Sequence, residues 1–223
     1  MGIQTTTGDA EGDIVAEKPV GDYSETDIRA ILSSFTGDSE QVPPMHSALK
    51  HNGQRLYQLA YQGIRVACKP RKITISKIEL LDYARERLRL EVNCSKGTYI
   101  RVLVEDIGNK LGCGAHVDDL RRLGVGHFTD QQMVSLDTIE DLAQQGYMAL
   151  DKLLLPIDAA LTDLPPVYLD EKATYYLRRG RIVQAPHPPV QGLLRIYDGR
   201  GSFFAIGEPR GDGCIAAKRL IRP

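Results

Sequence analysis

The sequence predicts an α+β protein in which a mixed, largely antiparallel sheet packs with helices and is followed by a small β-barrel. Two consecutive segments, 73–81 and 86–94, are β-branched or alternate apolar with polar residues, which is typical of neighbouring antiparallel strands. Apolar residues recur at helical spacing on both sides of these segments. From about residue 164 onward, short apolar runs alternate with glycine-containing turns, a pattern that small barrels show.

The N-terminal third contains two predicted helices separated by a loop. Residues 22–35 have apolar side chains at helical spacing, and Ser24 is placed to cap the first turn. Two consecutive prolines exclude regular structure around them, so residues 41–53 are predicted to be a loop. The segment 54–62 predicts a short helix that ends before a glycine.

Two further helices are predicted after the strands. Residues 100–111 form an amphipathic pattern, and residues 134–145 repeat it after a cap-like serine. A proline-containing linker near residue 160 then divides the chain, so we expect one domain over 1–160 and a second over 164–223. The strands expected in the second domain are 193–197, 203–206 and 214–220.

Composition excludes several classes of protein. The chain is 42% hydrophobic and 26% charged, and no apolar run approaches the roughly 20 residues of a membrane helix. The first 13 residues lack the features of a secretory signal, so we expect a cytoplasmic protein. The four cysteines form no C-x-x-C pair and the five histidines have no ligand spacing, which predicts reduced thiols and no metal.

The net charge of −1 conceals two basic segments. Residues 43–101 carry 12 basic and 4 acidic side chains, and residues 164–223 carry 10 basic and 5 acidic side chains. The segments 1–42 and 102–163 each have a net charge of −7. The basic segments are either the footprint of a site for a polyanion or solvated faces that the acidic segments balance in space.

Two clusters of residues could carry chemistry. In CSKGTYIR, residues 94–101, a strand runs through a glycine turn into a helix, a junction at which sites commonly form. The side chains of Tyr99 and Arg101 would share a face if both residues are extended and would diverge if both are helical. Alternatively, neither has a functional role: Tyr99 packs at the edge of the core, and Arg101 forms an ion pair at the surface. The second cluster, residues 43–50 followed by Gly53, Arg55, Tyr57 and Arg65, interleaves prolines, basic side chains and aromatic rings, which suits backbone contacts to a nucleic acid and stacking of its bases. Neither cluster alone identifies an activity.

Three motifs resemble one known family. The central motif of the tRNA pseudouridine synthase B family closely resembles residues 94–128, CSKGTYIRVLVEDIGNKLGCGAHVDDLRRLGVGHF. The family's RNA-gripping loop is similar to residues 43–63, PPMHSALKHNGQRLYQLAYQG, and its T-x-T-x-D-x-x-G motif resembles residues 5–15, TTTGDAEGDIV. The tail from residue 164 resembles, more loosely, the small RNA-binding PUA barrel that follows in this family.

The resemblance implies a monomeric, cofactor-free isomerase that converts uridine 55 in the T loop of tRNA to pseudouridine. The C1′–N1 bond breaks, the uracil turns, and the base rejoins the sugar through C5. By position, the resemblance implies that Tyr99 packs on the base and accepts the C5 proton, and that Arg101 pairs with a catalytic aspartate. Asp9 lines the target nucleotide and Leu120 forms an apolar wall of its pocket. The implied RNA-gripping residues are Lys50, Gly53, Arg55 and Tyr57.

The sequence departs from the family pattern in three places. His46 stands where the family usually has tyrosine or phenylalanine, and Tyr61 stands where it usually has arginine. The family's G-H-x-G-x-L-D-P motif, which holds the catalytic aspartate and is expected upstream of Gly2, does not occur in these residues. We therefore expect an N-terminally truncated, inactive chain in which Arg101 lacks that catalytic aspartate as its partner. The alternatives are a catalytically silent tRNA-binding protein and an RNA-binding module of unrelated role.

Overall fold

The computed structural model describes residues 1–221, which divide into two compact units, Met1–Arg121 and a second that begins at Arg122. The first unit combines helices with short antiparallel sheets. Its elements are β1 (Ile3–Thr5), β2 (Ile14–Glu17), α1 (Glu25–Ser33), β3 (Gly37–Gln41), β4 (Lys50–His51), β5 (Gln54–Arg55), α2 (Leu56–Tyr61), β6 (Arg71–Ala84), β7 (Arg87–Cys94) and α3 (Ile100–Leu111).

A reciprocal cap starts α1 where the sequence predicts it. The Ser24 hydroxyl accepts a hydrogen bond from the Asp27 backbone N–H, and the Asp27 carboxylate accepts one from the Ser24 backbone N–H. The two bonds satisfy donors that a helix start otherwise leaves without partners. The predicted helix and its cap are therefore confirmed.

The main sheet of the first unit has the order β3-β6-β7 and is antiparallel throughout. The predicted pairing of the two central strands is confirmed. A register shift between Ile75 and Lys77 changes which side chains are buried, from Ile73 and Ile75 before it to Leu80 after it. One extra residue moves the side chains that follow it to the opposite face of the sheet. This is why apolar and polar residues alternate only partly in this segment of the sequence.

Helices α1 and α3 pack on this sheet through one apolar core. Helix α3 begins at Ile100, as predicted, and ends at Gly112, whose φ of 85° gives the left-handed cap that glycine accommodates. Burying each large aliphatic side chain here contributes about 1.5–3 kcal/mol. The core residues are Ile28, Leu32, Ile73, Ile75, Leu80, Leu103, Ile107, Leu111 and Cys113.

The segment predicted as an irregular loop, 41–53, is partly a β-hairpin. Strands β4 and β5 pair through Lys50 with Arg55 and His51 with Gln54. The two turn residues, Asn52 and Gly53, have φ values of 49° and 87°. Asn-Gly favours the two-residue turn with positive φ at both positions, so the sequence contained a hairpin signal that the prolines obscured.

The second unit consists of short elements followed by an open sheet. The five strands have the order β10-β12-β13-β14-β11, in which β10 and β12 are parallel and the other pairs antiparallel. The elements are β8 (Gly124–Val125), β9 (Phe128–Thr129), α4 (Leu136–Gln144), α5 (Tyr147–Leu150), β10 (Pro166–Tyr168), α6 (Glu171–Leu177), β11 (Val183–Gln184), β12 (Leu194–Tyr197), β13 (Phe203–Gly211) and β14 (Cys214–Leu220).

The expected β-barrel is a curled half-barrel instead. In the described residues, the edge strands β10 and β11 do not pair with each other, so the sheet is not closed. Helix α6 covers it, with Leu177 and three strand residues fully buried: Leu194, Ile196 and Ile215. The predicted linker is held on β12, because Arg195 Nε donates to the Leu164 carbonyl at 2.8 Å.

The predicted position and cap of α4 are confirmed. The Ser135 hydroxyl accepts a hydrogen bond from the Thr138 backbone N–H. None of its residues is buried, although Leu136 and Ile139 lie at helical spacing. Among residues 1–221, no helix is both long and apolar enough to cross a membrane.

We predict that Gly108→Ala destabilises the protein, although alanine normally stabilises a helix by about 0.5–1 kcal/mol relative to glycine. A Cβ on Gly108 would lie 2.6 Å from the Ala115 Cβ and closer still to the backbone of Gly114 and Ala115. We expect this overlap to lower the free energy of unfolding by about 2 kcal/mol, measured by urea denaturation. Gly199→Ala is the control, because its nearest atom is 3.7 Å away. Stabilisation by Gly108→Ala would show that α3 can shift away from the loop.

Candidate active site

Arg101 connects three segments of the first unit. Its Nη1 donates to Asp9 Oδ2 at 2.9 Å and to the Thr7 carbonyl at 3.1 Å, and its Nη2 donates to the His46 carbonyl at 2.8 Å. Arg101 lies in the first turn of α3 and, like Asp9, is partly buried. The start of α3, the loop after β1 and the loop before β4 therefore meet at one guanidinium group.

Arg101 nevertheless has a carboxylate partner in this structure, Asp9, which is not the aspartate of the expected motif. A short parallel bridge to Val117 places Asp9 there. The Ala10 N–H donates to the Val117 carbonyl and the Val117 N–H donates to the Gly8 carbonyl, both at 2.9 Å. The bridge holds the Asp9 loop beside α3, a contact between residues that are far apart in the sequence.

Local hydrogen bonds keep Asp9 ionised. The Thr7 hydroxyl donates to Asp9 Oδ1 at 2.5 Å, and the Glu11 N–H donates to the same oxygen at 3.3 Å. The bond from Thr7, followed by the Glu11 N–H and the Arg101 charge, lowers the pKa of Asp9 below its ordinary value of 3.8. The site therefore presents a stable carboxylate–guanidinium pair at neutral pH.

Glu105 is a second carboxylate beside Arg101 that the sequence reasoning missed. It lies one helical turn after Arg101, against Gly8, where a Cβ would be 2.5 Å from Glu105 Oε1. Burial and then the charge of Asp106 raise the pKa of Glu105, and the Arg101 charge opposes this shift. The spacing of four residues from Arg101 was the only signal in the sequence.

Tyr99 is the N-cap of α3 and is anchored through its backbone. Its N–H donates to Gln41 Oε1 at 2.7 Å, and its carbonyl accepts from Gln41 Nε2 at 3.1 Å. Tyr99 has an extended backbone, with φ of −95° and ψ of 108°, whereas Arg101 is already helical, so neither the all-extended nor the all-helical alternative describes the pair. Sequence reasoning missed the buried Gln41, since it lies 58 positions from Tyr99.

The predicted RNA-gripping residues lie together on the β4–β5 hairpin and α2. Lys50, Gly53 and Arg55 are exposed, whereas Tyr57 is partly buried. The Arg55 guanidinium carbon lies 5.9 Å from the centre of the Tyr57 ring. The remaining predicted residue, Leu120, is exposed and follows Val117 by three positions.

Family models match almost the whole chain. The model described as "TruB family pseudouridylate synthase (N terminal domain)" matches residues 1–100. Residues 101–162 match "tRNA pseudouridylate synthase B C-terminal domain" and residues 165–221 match "Pseudouridine synthase II TruB, C-terminal".

Similar proteins of bacteria carry the same description. The chain is 48% identical over 221 residues to the tRNA pseudouridine synthase B of Nitrosococcus oceani, covering 99% of this chain and 72% of that protein. It belongs to the tRNA pseudouridine synthase B family. Another member, from Stutzerimonas stutzeri, is 49% identical over 223 residues, with 73% of its length covered. The chain thus spans just under three quarters of these family members.

Solved structures of other proteins share the fold of this chain. A Cbf5–Nop10–Gar1 complex contains a chain that superposes with a TM-score of 0.69 at 23% identity, over 92% of this chain and 64% of that one. An H/ACA RNP bound to a substrate RNA containing 2′-deoxyuridine gives a TM-score of 0.66 at 22% identity, over 92% and 63%. The chain therefore has the pseudouridine synthase fold, and it spans less than two thirds of these chains.

We predict that Asp9→Asn lowers stability at neutral pH by about 1 kcal/mol, because charge-assisted bonds are replaced by weaker neutral ones. The folded-state pKa of Asp9 is lowered, so its stabilising effect is present above the unfolded-state pKa and disappears as pH falls through the folded-state value. Urea denaturation of both proteins from pH 7 downward measures the difference.

The quantity to compare is the difference in free energy of unfolding between the wild-type protein and Asp9→Asn at each pH. The raised pKa values of Glu105 and Asp106 give both proteins an opposite pH trend in stability, so only the difference between the two proteins at each pH reports on Asp9 and its coupling to the Arg101–Glu105 pair. Asp22→Asn, which removes one carboxylate at an exposed position, is the control. A difference for Asp9→Asn that stays constant down to acid pH would contradict the ionic role of Asp9.

Proposed function

We propose that this chain forms the tRNA-binding part, and most of the active site, of an enzyme that isomerises uridine 55 in the T loop of tRNA to pseudouridine. The observation that carries the proposal is the gathering of the Asp9 loop, the His46 loop and the start of α3 by Arg101. The basic β4–β5 hairpin follows the His46 loop directly, so the charged site around Arg101 and a candidate RNA-binding hairpin are continuous in the chain.

In this proposal the residues divide the work of an isomerisation in which no atom is gained or lost overall. The C1′–N1 bond breaks, the uracil turns, C1′ bonds to C5, and the C5 proton leaves while N1 gains one. Tyr99 packs on the base and accepts the C5 proton, and Asp9 lines the nucleotide. Leu120 supplies an apolar wall, as a base removed from its stack requires.

Arg101 retains capacity for a second carboxylate. A guanidinium has five N–H donors, and Asp9, Thr7 and His46 occupy three of them in the described residues. The remaining two suit the aspartate of a G-H-x-G-x-L-D-P motif, which these 223 residues do not contain. The proposal is therefore that the catalytic aspartate comes from outside this sequence and approaches Arg101 beside Asp9.

The ion pair between Asp9 and Arg101 supports a second candidate function. Because Asp9 already pairs with Arg101, the site is electrostatically satisfied without the missing aspartate. A protein of this kind would bind tRNA as a monomer without modifying it.

We predict that the chain alone forms no pseudouridine on unmodified tRNA, because it lacks a group to attack or stabilise the sugar or base as the glycosidic bond breaks. Chemical mapping of pseudouridine at the T-loop uridine is the measurement. Adding a peptide that bears G-H-x-G-x-L-D-P should restore turnover, whereas the same peptide with asparagine for the aspartate should not.

The outcomes of this experiment separate the two candidates. Turnover with the aspartate peptide supports the synthase, and binding of tRNA without turnover in either case supports the silent tRNA-binding protein. Multiple turnovers by the chain alone would refute the missing-aspartate proposal and make Asp9 the first catalytic candidate.

We also predict that the β4–β5 hairpin contacts phosphates of the RNA. Lys50→Ala and Arg55→Ala should each weaken tRNA binding and reduce its salt slope by about 1, because each lost contact releases one counterion fewer. Binding of tRNA is measured at several salt concentrations. Lys18→Ala, at an exposed lysine of the acidic segment 1–42, is the control. Unchanged slopes for both hairpin variants would place the main RNA contact elsewhere.

A further inference from the structure

Three aromatic rings meet at the surface beside the β4–β5 hairpin. The ring of Tyr61 lies 6.0 Å from that of His46 and 6.3 Å from that of Tyr57, at interplanar angles of 77° and 78°. We propose that this aromatic triad, His46, Tyr57 and Tyr61, is a stacking site for an unpaired nucleobase of the RNA. The proposal rests on the proposed RNA-binding function and deepens it, because it assigns the contact to an unpaired base and places Tyr61 at its centre.

The ring of Tyr61 is not part of the packing that holds α2 in place. Leu56 and Leu59 are buried and supply the packing of this six-residue helix. Tyr57 and Tyr61 are four residues apart and therefore share the opposite face of the helix. Tyr61 is 80% exposed, so most of its ring surface remains open to a ligand.

The charges around the triad suit a nucleotide. The Arg55 guanidinium lies over the Tyr57 ring, and its Nη1 donates to the Tyr57 hydroxyl at 3.4 Å. Lys50 lies opposite Arg55 in the strand register of the hairpin, so it adds a second positive charge nearby. Cations for the phosphate next to aromatic rings for the base are the combination with which proteins hold unpaired nucleotides.

The triad is also connected to Arg101. The His46 carbonyl accepts a hydrogen bond from Arg101 Nη2, and the Tyr57 N–H donates to the carbonyl of the next residue, Ser47, at 3.1 Å. The segment His46–Ser47 is therefore hydrogen-bonded both to α2, which carries two rings of the triad, and to Arg101. A base stacked on Tyr61 would accordingly belong to the same RNA loop as the nucleotide in the pocket.

The experiment compares Tyr61→Ala, Tyr61→Phe and the wild-type chain for binding to an unmodified T-arm stem–loop RNA. 2-Aminopurine replaces one loop base at a time, because its fluorescence is quenched when it stacks. A fully paired RNA of the same length and charge tests whether an unpaired base is required. Tyr147→Ala is the matched control, since Tyr147 is 86% exposed on α5.

We expect Tyr61→Ala to weaken binding of the stem–loop about tenfold, in line with the loss of one stacked base. Quenching at one loop position should disappear, while the salt slope, the affinity for paired RNA and the melting temperature stay unchanged. Tyr61→Phe should behave like the wild type because it keeps the ring, and Tyr147→Ala should have no effect.

Several results would overturn the proposal. Wild-type affinity in Tyr61→Ala, or an equal loss for paired RNA and stem–loop, would show that the ring contacts no unpaired base. A change in sedimentation of the protein alone would identify Tyr61 as a self-association contact instead. If the wild-type chain binds neither RNA, the proposed RNA-binding function fails as well, which distinguishes that failure from loss of the stacking site alone.

Discussion

The guanidinium of Arg101 is the interaction on which the site depends. It donates to a side chain and two carbonyls from segments that begin 94 and 55 residues earlier in the chain. A planar group with several fixed donors can orient such segments together, whereas an ammonium presents a single point of charge. The helix start that carries Arg101 also positions Tyr99, whose backbone is held by Gln41. Pocket and helix start therefore form one hydrogen-bonded structure.

Two carboxylates beside this guanidinium have pKa values shifted in opposite directions. Hydrogen bonds from Thr7 and a backbone N–H favour the ionised form of Asp9. Glu105 has no such donors among the described residues, so burial dominates and favours its neutral form. Arg101 attracts both groups, and the local environment decides the difference. An incoming carboxylate would therefore meet one fixed negative charge and one group that protonates more readily.

Some parts of the fold could be predicted because their determinants are local. The capping box of α1 and the periodicity of α3 lie within a few residues of each other, and the sequence placed both helices correctly. Strand β3 was missed because its residues, GDSEQ, have no apolar alternation and form a strand only through pairing with β6. The half-barrel likewise depends on which edge strands pair, which periodicity does not encode.

The sequence by itself determined the family and the absence of the aspartate motif from these 223 positions, and it singled out Tyr99 and Arg101 as candidates. Only the tertiary structure decided which carboxylate Arg101 holds and that His46, Tyr57 and Tyr61 bring their rings together. The physical reason is the range of the interactions. Helix caps and turns involve neighbouring residues, whereas the Asp9–Arg101 pair requires the chain path set by the Val117 bridge.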